Sequence, residues 1–246
     1  MHLPDPVLPP LLEGHPVKAP ADPFTHAVEG ARAGRLGGGD FVWARRVDRC
    51  QAAIVLEPEV PAARAAEMLY VAAVAFGDSF GAVAPPEIAL TFDWPAAIRV
   101  NGGRVGGLSI AAAPVASDAE APDWMVVGID IVIREADPDP DPGLTPDVTT
   151  LEEEGCGDMD RTAMIESWSR HLLTWILTWE EDGFASVHTN WLGRLQDGDR
   201  EVAVVIGDTV HRGVPAGLDE NGNLLLRTGD GVRLLSTLDW MRAAAA

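Results

Sequence analysis

The stretch 160–183, DRTAMIESWSRHLLTWILTWEEDG, most constrains what this chain can fold into. Met164, Trp168, Leu172, Trp175, Ile176 and Trp179 recur at three- and four-residue spacing, so a helix places them on one stripe. Asp160 stands where an N-cap is needed and Gly183 where the helix must stop. Rings on that scale need cover, either from the chain's own core or from a second copy, so a homodimer is a possible assembly. After about residue 196 the texture changes. REVAVVIGD, TVHRGVPAGLDENG, NLLLRTGDG and VRLLS are short strands cut by Gly, Asp and Asn turns, the signature of a small β-barrel. The expected architecture is α+β: a mixed body over residues 1–196 and an all-β unit over 197–246.

Other segments complete the body. Six prolines fall within residues 1–22, which are expected to wrap a surface rather than form an element. Residues 22–34 read as a helix with Ala27, Ala31 and Ala33 near its inner face. Residues 40–46 and 50–58 read as strands, the second continuously apolar and therefore buried. Residues 61–81 form a core helix opened by Pro61. Residues 123–135, DWMVVGIDIVIRE, are another strand, and the proline-rich 136–147 is a solvated loop.

Charge and cysteine content narrow the function. Acidic residues outnumber basic ones 38 to 18, for a net charge of −20. Such a field repels phosphate backbones and anionic lipid, so neither nucleic acid nor a membrane is an expected partner. Lys18 is the sole lysine among the 18 cations, a bias that fits a GC-rich bacterial genome. No metal-ligand spacing surrounds Cys50 or Cys156, and no metal site is expected. Cys50 reads as a buried hydrophobe or, with a base beside it, a nucleophile; Cys156, next to two glycines, reads as an exposed thiol. His171 reads as a helix-surface residue. No signal-peptide pattern and no apolar segment of transmembrane length are recognised, so a soluble cytoplasmic protein is expected.

The stretch most charged with chemistry is TFDWPAAIRVNGGRVGGLSI, residues 91–110. It reads as a hairpin, with Gly102 and Gly103 in the turn. Gly106 and Gly107 lie in a strand interior, where paired glycines imply close approach by a ligand or another backbone. Arg104 either clamps an anion at the hairpin mouth or is a surface arginine of an edge strand. Asp130 interrupts an apolar strand and needs a partner, for which Arg104 is the natural candidate. Arg45, Arg46 and Arg49 cluster beside Asp48.

Taken together, these stretches resemble biotin protein ligases and their lipoate-ligase relatives, which join a mixed α/β catalytic domain to a small SH3-like barrel. FTHAVEGARAG is similar to the family's Ser-Thr-Asn segment and following helix. DWPAAIRVNGGRVGGLSI is similar to its Lys-Trp-Pro-Asn-Asp strand, turn, catalytic lysine and glycine-containing strand. VVGIDIVI is similar to its Gly-Ile-Gly-Ile-Asn strand. The resemblance implies a carboxylate that attacks the α-phosphate of ATP, with Mg²⁺ sharing the charge, and a carrier-domain lysine that takes the acyl group. It also implies site residues: Arg104 at the catalytic position, with Trp94, Gly103, Gly106, Gly107, Asp130 and Arg46 around the ligand.

The same positions depart from the family pattern. Its motif lysine falls on Asp93, its Asn and Asp on Ala96 and Ala97, and its catalytic lysine on Arg104. Its second strand glycine falls on Asp130 and its Asn on Val132. Only VDRC separates the two strands that the family joins by a long Gly- and Arg-rich covering loop. The expectation is a divergent homologue with a degenerate adenylation site that binds a small carboxylate, a nucleotide-like ligand or a carrier domain. An active ligase or acyltransferase, needing ATP and Mg²⁺, and a non-catalytic interaction module are the alternatives.

Overall fold

The computed structural model describes residues 4–135, 147–196 and 200–244. In chain order its elements are β1 (Glu13–Val17), α1 (Pro23–Arg32), β2 (Asp40–Ala44), β3 (Arg49–Leu56), α2 (Ala62–Ala65), α3 (Met68–Val83), β4 (Leu90–Asp93), β5 (Ala97–Val100), β6 (Gly103–Ala112) and β7 (Met125–Val132). A helical turn at Glu152–Cys156 precedes α4 (Arg161–Asp182) and α5 (Phe184–Leu192). β8 (Val202–Ile206), β9 (Thr209–Leu218), β10 (Leu224–Thr228), β11 (Gly231–Leu235) and α6 (Thr237–Ala244) complete the chain.

The first seven strands form one mixed sheet in the order β1-β2-β3-β7-β6-β5-β4, and the last four a small antiparallel sheet in the order β11-β10-β9-β8. The apolar run of β3 follows from its position, because helices cover both of its faces. Cys50, Ala52 and Ile54 point into the main core with α3 and α4, whereas Ala53 and Val55 join Ala27 and Ala31 of α1 on the other face. Two-sided burial removes the polar half of the strand alternation. α4 is capped as its sequence indicates: Asp160 Oδ1 accepts from Thr162 N at 2.8 Å and Ala163 N at 3.0 Å, and Gly183 closes the helix at φ 76°. Trp168 and Leu172 on its stripe are fully buried and Trp179 nearly so.

Several expectations need correction. Residues 13–17 pair in parallel with β2 as an edge strand, where Pro16 is tolerated because an edge needs fewer donors. The residues before them do wrap the body: Pro4 O accepts from Thr162 Oγ1 at 2.9 Å and Val7 N donates to Glu166 Oε1 at 2.8 Å. Ala33 is exposed, because α1 has already ended at Arg32. Residues 62–83 are long and apolar enough to cross a membrane, but 78% of that window is buried within the fold, so it is a core helix. α5 and α6 are helices the sequence reading did not anticipate. Of the 136–147 loop, residues 136–146 lie outside the described residues.

One buried carboxylate marks the α3–α4 packing. Trp179 Nε1 donates to Glu67 Oε2 at 2.6 Å, and Arg64 stacks over the same indole at 4.9 Å. Burial pushes the Glu67 pKa up, while the Trp179 N–H and Arg64 pull it part of the way back. The folded state therefore holds this proton more tightly than the unfolded chain. The carboxylate subtracts stability as pH rises from its ordinary pKa through its raised one. Glu67→Gln is expected to flatten that decline and to exceed wild type at neutral pH, measured as urea midpoints between about pH 4 and 8. A midpoint below wild type at neutral pH would count against it.

The two sheets are tied together by Tyr70 on α3. Its hydroxyl accepts from Trp94 Nε1 at 2.7 Å, donates to Gly222 O and is hydrogen-bonded to Thr237 Oγ1 at 2.9 Å. Its ring packs against Phe184 and Trp191. This contact holds the small sheet and α6 against the open end of the hairpin and makes a cavity there.

Candidate ligand site

β5 and β6 form the expected hairpin, turning through Asn101 at φ 49° and Gly102 at φ 90°. Asn-Gly suits such a turn because both central residues need positive φ. Gly103 serves another purpose. A Cβ there would lie 2.4 Å from Thr149 Cγ2, so the glycine admits the segment that follows β7. That segment joins the sheet: Arg104 N donates to Asp147 O at 2.8 Å, and Thr149 N donates to Arg104 O at 3.0 Å.

The paired glycines of β6 are also filled by backbone. A Cβ on Gly106 would sit 2.0 Å from Asp130 O, and one on Gly107 would sit 2.6 Å from Ala96 O. Of the two readings left open for this pair, close approach of a ligand or of another chain segment, the geometry gives the second.

Arg104 and its strand neighbour Arg99 point to the same face, where a cavity of about 610 Å³ opens between the hairpin and the small sheet. Asp93, Trp94, Pro95, Arg99, Arg104 and Asp147 line one side; Arg200 to Val205, Pro215 and Trp240 line the other. Arg99 is spent on Asp93 and on Gly102 O, and Arg200 lies 3.6 Å from Asp147. Among the described residues, the Arg104 guanidinium has no hydrogen bond or ion pair, which makes it the cavity's available cation. Trp94 is 7% exposed and its N–H is already committed to Tyr70, so it is primarily a core residue with an edge on the cavity.

Asp130 does not pair with Arg104. Strand register places it opposite Gln51 on β3 and Gly107 on β6, while Arg104 lies beyond the end of the β6–β7 ladder. Its carboxylate instead accepts from Arg49 Nε at 2.8 Å and Gln51 Nε2 at 3.0 Å. Arg46 is likewise absent from the cavity. It binds Asp48, and that contact is the main reason the Asp48 carboxyl lies below its ordinary pKa. Arg45 pairs with Asp5. The arginine cluster is therefore three separate ion pairs. The loop 45–48 between β2 and β3 is anchored besides, since Asp48 O accepts from Ile133 N at 2.8 Å and Arg134 N at 3.1 Å.

Neither cysteine is a poised nucleophile. Cys50 is fully buried, and burial pushes its thiol well above the ordinary range. Cys156, expected at the surface, is 1% exposed under the Glu152–Cys156 turn, and burial raises its pKa too. His171 Nδ1 contacts Ser167 O at 2.9 Å and His188 Nε2 lies 3.4 Å from Leu218 O. The sequence reading missed one titratable group, Glu13, His15 and Asp40, whose ligand atoms lie within 4.8 Å of one another at the β1 edge. The 2.6 Å pair between His15 Nε2 and Asp40 Oδ1 accounts for that arrangement.

The sequence pattern of the Biotin/lipoate A/B protein ligase family matches residues 8–193. The chain belongs to that family. A biotin–[acetyl-CoA-carboxylase] ligase of Paracoccus denitrificans is 28% identical over 188 residues, covering 75% of this chain and 76% of the relative. A crystal structure of a biotin protein ligase-like protein of unknown function from Silicibacter sp. TM1040 is 37% identical, with a TM-score of 0.84 over 96% of this chain and 98% of that one. Biotin protein ligase from Aquifex aeolicus shares the fold at 17% identity, with a TM-score of 0.72 over 93% and 96% of the two chains.

Ala96 and Ala97 offer no ligand atoms in their side chains. The carboxylates of Asp93 and Asp147 face arginines, and among the described residues this leaves Arg104 and Glu201 as the charged groups of the lining without an ion-pair partner.

Proposed function

We propose that this ligase-family protein binds a small monoanionic carboxylate with an apolar body in the hairpin cavity and does not adenylate it. The observation that carries the reading is the Arg104 guanidinium, without a partner among the described residues, in a cavity that is apolar at Trp94, Pro95, Leu195, Pro215 and Trp240 and carries the Glu201 carboxylate on its other side. One cation and apolar walls suit one carboxylate, and a cavity of this size accommodates a molecule of drug-like dimensions. Adenylation asks for more. Charge develops on the α-phosphate while pyrophosphate departs, and losing even one donor aimed at such charge costs about 10² to 10³ in rate. Arg99 cannot add its charge without abandoning Asp93, and Arg200 stands beside the Asp147 carboxylate at 3.6 Å.

Retained ligase activity is the second reading, favoured by the Paracoccus relative's description as a biotin–[acetyl-CoA-carboxylase] ligase. A carrier domain would then be the acyl acceptor. Calorimetry with biotin, lipoate, octanoate and ATP separates the two. The expected result is saturable binding of an acid, with no pyrophosphate released when ATP is added. Arg104→Gln is expected to weaken that binding about 10-fold or more, since hydrogen bonds to charged groups contribute roughly 1.5–3 kcal/mol. ATP-dependent pyrophosphate release, or acid binding indifferent to Arg104→Gln, would overturn the proposal.

A further inference from the structure

We infer that Arg49 and Gln51 form a carboxylate cradle which Asp130 fills from within the chain, and that a small external carboxylate replaces it when the Asp130 side chain is removed. This site is separate from the Arg104 cavity and does not depend on the reading given for it.

β3 and β7 are paired in register, so Gln51 lies directly opposite Asp130 and Arg49 opposite Val132. All three polar side chains therefore lie on the face covered further along by α1. Each carboxylate oxygen has its own donor, Arg49 Nε for Oδ1 at 2.8 Å and Gln51 Nε2 for Oδ2 at 3.0 Å. Two donors on separate oxygens recognise a carboxylate as such, rather than any single negative atom. Gln51 is 8% exposed, so its amide is held by its surroundings and not merely draped over the surface.

The cradle also has spare capacity and room. Arginine usually grips a carboxylate with Nε and one terminal nitrogen. Here Arg49 contributes Nε only, and among the described residues its terminal nitrogens have no partner. The side chains of Arg49 and Asp130 are 32% and 41% exposed, so the pair is reached from solvent. Two residues along β7, Gly128 carries the Phe24 ring, whose Cδ2 lies 3.0 Å from where a Cβ would stand. Asp130→Gly clears the space while leaving Arg49 and Gln51 as unfilled donors.

The test is chemical rescue. Asp130→Gly and Asp130→Ala are compared with wild type in sodium acetate and in sodium chloride of equal ionic strength. Ligand that binds only the folded state raises its stability. Both variants are expected to show a saturable rise in Tm of roughly 3 °C or more in acetate relative to chloride, and wild type none. Adding Arg49→Gln to either variant should abolish the rise, whereas adding Arg104→Gln should leave it intact. If a variant does not fold in chloride, recovery of folded protein in acetate replaces Tm as the measurement. Equal behaviour in the two salts, by either measurement, would overturn the inference, as would a rise that survives Arg49→Gln.

Discussion

Gly106→Ala is expected to destabilise the fold by about 3 kcal/mol or more, a large fraction of the stability of an ordinary domain. The added methyl would stand 2.0 Å from Asp130 O and 2.9 Å from Ile131 Cα, both main-chain atoms. A flexible side chain could step aside; a neighbouring strand cannot without giving up its own ladder. Gly106 and Ile131 are partners in the β6–β7 pairing, which lies in the interior of the sheet, so any retreat disturbs β7 and then β3. Gly81→Ala is the internal control, because nothing lies within 4 Å of a Cβ there and the site is helical. That change should be neutral or stabilising by up to about 1 kcal/mol. Urea midpoints of the two variants decide the matter. A wild-type midpoint for Gly106→Ala would mean that β7 does not press on β6, and the glycine pair would again need a ligand to explain it.

The glycine pair illustrates how far the sequence could be read. Spacing alone identified a backbone that something approaches closely. It could not say what, because the approaching atoms belong to residues 96 and 130, far apart in the chain. Local signals fared well for a physical reason. Asp160, Gly183 and the α4 stripe act within a few residues of themselves, and so do Asn101 and Gly102 in the turn. The apolar run of β3 was legible because burial on both faces leaves no polar alternation. Failures arose where partners were chosen by register. Asp130 found Arg49 and Gln51 because β3 lies beside β7, a fact of topology that the spacing to Arg104 does not carry. Pro16 disguised β1, since proline argues against a strand unless the strand is an edge. The far wall of the cavity, from Arg200 to Val205 and Trp240, was invisible for the same reason: no motif marks residues that meet a hairpin so distant in the chain only through tertiary packing.

Tyr70→Phe is the change expected to loosen that wall. The substitution keeps the ring between Phe184 and Trp191, at 5.6 and 5.3 Å, and deletes only the hydroxyl. Gly222 O retains a donor, Thr237 Oγ1 at 2.7 Å. Trp94 Nε1 loses its acceptor while remaining buried. An orphaned buried donor costs about 1–3 kcal/mol, and the one further hydrogen bond that the hydroxyl proton makes, to Gly222 O or Thr237 Oγ1, adds to it, so the expected destabilisation is about 2–3 kcal/mol. The consequence reaches the ligand site because Trp94 lines the cavity and its ring lies 6.4 Å from that of Trp240 on the other side. Once its N–H no longer anchors it, both sides of the cavity lose a common reference, and acid binding should weaken along with stability. A double-mutant cycle with Trp94→Phe isolates the link: the two changes share one hydrogen bond, so their combined cost should fall short of the sum by roughly 0.5–3 kcal/mol. Additive costs would mean that apolar packing alone seats the small sheet on the body, and that the hydroxyl takes no part in shaping the cavity beside Arg104.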